Sequence, residues 1–255
     1  MLIATAWGSL AVLMALLWLI QRRSGDAGIV DIAWSLGVAA AGTFFATYSS
    51  GLPQRRIALG VLVLVWGIRL SGYIALRLVR MPRDGRYESL KESWGAAAQF
   101  RMFIFYQVQG VLAVLFALPI LVAAQSKSSL DWIDYLSVGI WCMAIGGESL
   151  ADFQLNQFRA RPSNAQSVCR IGLWKYSRHP NYFFEWLHWW TYVGLAVDAR
   201  FGWLTVAAPI IMLIFILFIT GIPPTEAQAI KSRGQAYADY QSTTSAFFPW
   251  PPRKT

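Results

Sequence analysis

Long apolar runs separated by shorter polar segments dominate the chain; they fall at roughly 2–20, 28–48, 57–79, 103–124, 131–155, 182–198 and 202–222. A helix that crosses the hydrocarbon core of a bilayer needs about 20 mostly apolar residues. The pattern therefore predicts an all-α integral membrane protein with about seven transmembrane helices in one bundle. These runs use most of the 255 residues, leaving no room for a separate soluble domain. The first run is too long for a signal peptide and lacks a small-residue cleavage site before its basic flank Gln21-Arg22-Arg23, so it reads as the first span. The connections near 49–56, 125–130 and 199–201 are short, whereas 80–102, 156–180 and 223–255 are long and polar. No internal repeat interrupts this order.

Residues three, four and seven apart share a helical face, and that spacing picks out polar stripes inside the apolar runs. Glu148, Asp152, Asn156 and Arg159 fall on one side of the fifth, opposite Leu150, Phe153 and Phe158. Asn181, Glu185, His188 and Tyr192 follow the same rule in the sixth, and Arg69, Tyr73 and Arg77 in the third. Beyond the last run, Glu226, Ile230, Arg233 and Tyr237 share a face. A lipid-facing surface has no use for such stripes. Single members can simply bond between helices and fix the packing, but four polar groups on one face exceed what packing requires. Asp31, at the start of the second run, has a plainer alternative role, since an acid there can anchor a helix end. Arg178-His179-Pro180-Asn181-Tyr182, followed by Glu185, sets a charged cluster at the entrance to a span, where such groups mark a site by default.

Charge orients the picture. The net charge is +9, and with the amino terminus outside seventeen of the twenty-two basic residues fall on the inner side, Arg22, Arg23 and Arg77 among them. The positive-inside rule then puts the carboxyl terminus in the cytoplasm, and a bacterial inner membrane is the expected location. The inner-face cations serve topology and anionic lipid headgroups, or some converge on a polyanionic ligand. Nucleic acid is not expected without a soluble basic domain. Thirteen tryptophans suit interfacial belts. Two cysteines and two histidines, with no close pairing of metal-ligand types, indicate neither a disulfide nor a metal site.

Ala151-Asp152-Phe153-Gln154-Leu155-Asn156-Gln157-Phe158-Arg159 and Gly172-Leu173-Trp174-Lys175-Tyr176-Ser177-Arg178-His179-Pro180-Asn181-Tyr182-Phe183-Phe184-Glu185 together resemble the carboxyl-terminal half of the steroid 5-alpha-reductase family. The likeness is closest to the bacterial branch of membrane proteins carrying that domain. Glu226, Arg233, Tyr237 and Tyr240 complete the pattern, which covers about 145–250. Isoprenylcysteine and phospholipid methyltransferases carry a similar Arg-His-Pro-x-Tyr element before a span. The Asp-x-Gln-Leu-x-x-Phe run and Asn181 favour the reductases.

The resemblance implies a helical bundle whose cytoplasmic half encloses NADPH, with residues 1–124 on the substrate side and 125–255 forming the cofactor-binding region. An apolar substrate would enter from the bilayer, and a monomer is expected. Arg86 and Arg159 match positions near the cofactor's phosphates, with Arg178 a third candidate; arginine suits that task through its bidentate donors. Asp152 and Asn156 would take ribose hydroxyls or the adenine edge, and Asn181 and Glu185 the nicotinamide carboxamide. Arg233, Tyr237 and Tyr240 would close the pocket. Glu148, Trp174, Tyr176, His179 and Tyr182 would complete its walls, with His179 shaping the loop rather than transferring protons.

The implied chemistry is reduction of a carbon–carbon double bond conjugated to a carbonyl, in a steroid-like enone or unsaturated lipid. A donor at the carbonyl oxygen, where charge develops, stabilises the transition state more than the ground state. Family members draw an acid and a tyrosine from the second and third spans. Asp31 falls at the acid's position, but Trp66 stands where the tyrosine is expected, which leaves Tyr73, two turns on, as the candidate. Two other classes compete: a membrane methyltransferase using S-adenosylmethionine, and a transporter or scaffold whose pathway the Glu148 to Arg159 stripe would line.

Overall fold

Among the described residues all regular structure is helical, as an apolar solvent requires, because a backbone without water must satisfy its amides within each segment. The computed structural model describes residues 1–80, 85–164 and 166–253, without the side chains of Arg80 and Arg86. In chain order the α-helices are α1 (Leu2–Ser24), α2 (Ile29–Tyr48), α3 (Pro53–Arg80), α4 (Gly85–Trp94), α5 (Ala98–Ala123), α6 (Trp132–Arg159), α7 (Pro180–Gly194), α8 (Ala207–Ile214), α9 (Ile222–Arg233) and α10 (Gln235–Thr243).

Five stretches are long and apolar enough to cross a membrane: Leu2–Ser24, Ile29–Tyr48, Pro53–Val79, Tyr87–Ala123 and Gly202–Arg233. They correspond to the first four and the last of the seven apolar runs. The other two take different forms. α6 has 28 residues, ample length, but Asp134, Glu148, Asp152 and Arg159 dilute its apolar character. α7 has only 15 residues, about 22 Å at 1.5 Å per residue, which falls short of a hydrocarbon core about 30 Å thick.

The chain divides into two compact units, Met1–Leu130 with Leu195–Thr205, and Asp131–Gly194 with Val206–Thr255. In the first, α2 packs against α3 and α5, and α1 packs against α5 and α2. Small residues allow this closeness, since van der Waals packing rather than hydrophobic burial joins helices in lipid. A Cβ added at Gly67 would stand 2.4 Å from the Cβ of Ala39. The opposite faces are apolar and exposed, as lipid demands: Phe100, Ile104, Val108, Val111 and Leu115 make one stripe down α5. Backbone bonds tie two connections together, Gly51 N–H to Ala124 O at 3.1 Å and Leu52 N–H to Ser126 O at 2.8 Å. Arg55 is buried, with one guanidinium nitrogen donating to Leu195 O at 2.7 Å.

In the second unit, α6 opens on a capping box. The Asp131 carboxylate accepts from the Ile133 and Asp134 amides at 2.9 and 3.3 Å, and the Asp134 carboxylate accepts from the Asp131 amide at 2.9 Å. α7 returns antiparallel along α6, and glycines set the approach: Gly147 lies under the Phe184 ring and Gly194 against Ser137. After α8 the chain widens into a π turn at Phe215–Ile219. It then bends at Gly221, where a Cβ would meet Ile216 O at 2.5 Å. Ile222-Pro223-Pro224 starts α9 afresh, as prolines suit a first helical turn. Gly234, at φ 54°, separates α9 from α10.

Candidate functional site

Two polar assemblies in the second unit and one in the first hold most of the residues singled out from the sequence. The first assembly is a seam between α6 and α7. The Asn181 amide donates to the Asp152 carboxylate at 3.4 Å. Gly147 lies against Phe184, so Glu148 and Glu185 stand at the same level of the helix pair, one turn in from Asp152 and Asn181. Glu148, Asp152 and Glu185 are all buried, and Asn156 and Asn181 are half-buried. The Trp189 indole N–H donates to Glu185 at 3.1 Å, and His188 and Tyr192 bond each other at 3.0 Å further along. Arg159 ends α6 at the surface, close enough to influence the Cys169 thiol electrostatically; burial nonetheless pushes that thiol up. The two stripes read from helical spacing thus face one another.

The second assembly centres on Glu226 of α9. Its carboxylate accepts Arg178 Nε at 2.7 Å and Nη2 at 3.3 Å, Gln241 Nε2 at 2.6 Å, Tyr237 Oη at 3.3 Å and His179 Nε2 at 3.1 Å. The remaining Arg178 nitrogen donates to Gln241 O at 3.1 Å and Thr244 O at 2.6 Å. Such charge-assisted bonds make a rigid node. Burial holds the His179 imidazole below its ordinary range against the pull of Glu226, with Arg178 adding to the lowering. It therefore serves as a neutral Nε2–H donor. Burial first, and then the Glu226 charge, push the Tyr237 phenol up, so it too stays protonated and donates.

This node engages several of the residues expected around a cofactor. Arg178 neutralises Glu226 and clamps two carbonyls. His179 stacks at 5.2 Å on the Tyr182 ring, and the Tyr182 hydroxyl meets Thr225 at 3.1 Å. Trp174 donates its indole N–H to Ala151 O at 2.9 Å, and Tyr240 places its hydroxyl on Trp174 O and Ser177 O. Arg233 donates to Ser167 O at 3.0 Å. The Gln154 side chain receives the Leu173 amide at 2.9 Å beneath Gly172, whose φ is 55°. Tyr176 is exposed, with Lys175 6.0 Å above its ring. These residues fasten the 172–182 loop to α6, α9 and α10.

The third assembly, in the first unit, surrounds Asp31. The Tyr87 hydroxyl donates to its carboxylate at 2.6 Å. Tyr87 and Tyr106 are buried in one cluster with Ala27, Val30 and Met102, and Tyr106 donates weakly to Ala27 O at 3.4 Å. Tyr87 is thus a tyrosine bonded to Asp31, and the ring of Tyr73, the candidate catalytic tyrosine, carries the Arg69 guanidinium at 5.7 Å. Trp66 is fully buried and packs edge-on against Trp34 at 6.1 Å. The Arg86 side chain lies outside the described residues. Sequence reasoning gave Tyr87 and Gln241 no role. Tyr87 had one signal, its place directly after Arg86 in a polar run returning towards an apolar helix.

Among the described residues no group of three or more His, Cys, Asp or Glu stands together to hold a metal ion. The family model for proteins of unknown function DUF1295 matches residues 17–244. The chain belongs to that family, which is associated with steroid 5-alpha-reductase-like membrane proteins. No curated protein and no solved structure matches the chain.

Proposed function

We propose that this DUF1295 protein is an NADPH-dependent membrane reductase. Its substrate class is an apolar, membrane-soluble molecule with a carbon–carbon double bond conjugated to a carbonyl. In this reading α6 and the 182–198 run, α7 with the residues that follow it, also cross the bilayer, giving seven spans with the carboxyl terminus in the cytoplasm. The observation that carries it is the α6–α7 seam, where Asp152 and Asn181 bond at 3.4 Å with Glu148 and Glu185 buried one turn beyond.

The donor set suits a nicotinamide nucleotide. Carboxylates accept from ribose hydroxyls, the Asn181 amide and Glu185 together match a carboxamide, and Arg159, exposed at the end of α6, is the proposed phosphate contact. Bound there, NADPH supplies a hydride to the substrate's beta carbon; the chain supplies position and polarity. Asn181 and Glu185 fix the ring face by holding its amide. The Glu226 node keeps the loop before α7 in place, so that Asn181 meets Asp152.

Asp31 is the proposed acid. Tyr87 holds a carboxylate oxygen of Asp31 at 2.6 Å, and a donor at the substrate carbonyl stabilises the charge that develops there. Tyr87 is then a positioning residue for the acid. Asp31→Asn is expected to lower enone-dependent NADPH oxidation at least about tenfold, or about 1.4 kcal/mol of barrier, with NADPH affinity near wild type. Tyr87→Phe should lower turnover less than Asp31→Asn does, with NADPH affinity near wild type. Loss of NADPH binding in Asp31→Asn would move Asp31 out of this role.

A further inference from the structure

The end of the chain folds back beside the start of α7 and encloses a cleft of about 420 Å³, lined by Arg178, Thr244, Ser245, Trp250 and Arg253 among others. Main-chain bonds hold this strap. Arg178 N–H donates to Ser245 O at 2.8 Å, Trp250 N–H to Tyr176 O at 2.9 Å and Arg253 N–H to Thr243 O at 2.9 Å. The side chains of Ser245, Trp250 and Arg253 are therefore spare to the fastening. Arg178 brings no net charge, because Glu226 matches it. Arg253 does, at the exposed rim. A second cation stands close by, since Lys175 lies over the ring of Tyr176, the residue whose carbonyl holds Trp250. The one acid of α10, Asp239, has its carboxylate taken by Gln235 at 2.8 Å.

The strap also has a depth. Phe248 packs edge-on against Phe183 and Trp186 at 6.1 and 5.8 Å. That is where α7 passes from Arg178-His179 to the apolar Phe183-Phe184, the change of solvent at a membrane surface. Phe248 and Trp250 are nonetheless 55% and 70% exposed. Exposed aromatics next to basic residues at that level are what the headgroup region selects.

We propose that this cleft is a headgroup site for an anionic membrane phospholipid. Arg253 takes the phosphate diester through paired guanidinium donors, with the Ser245 hydroxyl as a further donor. Trp250 and Phe248 lie along the glycerol and upper acyl chains. A soluble phosphate ester has the same recognition chemistry without the chains, and the two sources are separable. The site is independent of the reductase reading.

The test is native mass spectrometry of the full-length protein in detergent, titrated with phosphatidylglycerol, phosphatidylcholine or glycerol 3-phosphate. Wild type should retain phosphatidylglycerol over phosphatidylcholine, and Arg253→Gln should weaken that retention about fivefold. Ser245→Ala should weaken it less, and Arg253→Lys should keep most of it. Because main chain holds the strap, thermal unfolding in lipid-free detergent should not move in any variant. Equal retention by wild type and both Arg253→Gln and Ser245→Ala overturns the site. Displacement of phosphatidylglycerol by glycerol 3-phosphate at comparable concentration overturns the lipid assignment in favour of a soluble ester.

Discussion

At the scale of single residues, Glu226 organises the second unit. Its carboxylate collects donors from Arg178, His179, Tyr237 and Gln241, which lie 48, 47, 11 and 15 positions away. Arg178 and Glu226 are both largely buried, at 11% and 13% side-chain exposure, so removing one partner strands the other. Glu226→Gln is expected to cost about 3–5 kcal/mol, read as a fall in unfolding temperature in detergent; a change under about 0.5 kcal/mol, the range of an ordinary surface substitution, would deny the node its structural role. His179 gives a pH signature. Burial holds its folded-state pKa below the ordinary 6.5, so the unfolded chain binds the proton more readily. Its contribution is complete above about pH 6.5 and is lost as pH falls towards the lowered value. His179→Gln should flatten that acid-side slope in stability-versus-pH measurements. An unchanged slope would mean that the imidazole is already charged in the folded protein. The sequence showed the Arg178 to Glu185 cluster plainly. It did not show that Arg178 and His179 are held by Glu226, brought in only after the π turn and the break at Gly221.

Among elements, the α6–α7 pair shows how glycine sets a helix approach. A Cβ at Gly147 would meet three Phe184 ring atoms at 2.4–2.6 Å, whereas nothing lies within 4 Å of one at Gly146. Gly147→Ala should destabilise by about 1–3 kcal/mol through overpacking, and Gly146→Ala should be neutral or stabilising by up to about 1 kcal/mol. Thermal unfolding of the two variants side by side distinguishes them; equal effects would contradict the register. Helix positions were legible because apolar length and 3.6-residue spacing are local properties. The two facing polar stripes were legible for the same reason. What spacing could not give was the length of α7, which stops at Gly194 because the chain turns through Leu195–Thr205, a segment that joins the first unit. Nor could it give the Asp31–Tyr87 bond, since the two residues are 56 positions apart.

For the whole molecule, the account rests on division of labour within a membrane protein of the DUF1295 family. Five stretches carry the length and apolarity to cross a bilayer, and the polar chemistry is concentrated on α6, α7 and the loop and tail that brace them. A nicotinamide nucleotide is the proposed occupant of that seam, and the extra phosphate of NADPH is the proposed reason for Arg159. The direct measurement is calorimetric titration of the purified protein with NADPH, NADH and S-adenosylmethionine, repeated on Arg159→Ala. NADPH should bind at least about tenfold more tightly than NADH, a difference of about 1.4 kcal/mol, and Arg159→Ala should shrink that preference. Binding of S-adenosylmethionine with no affinity for NADPH would contradict the reductase.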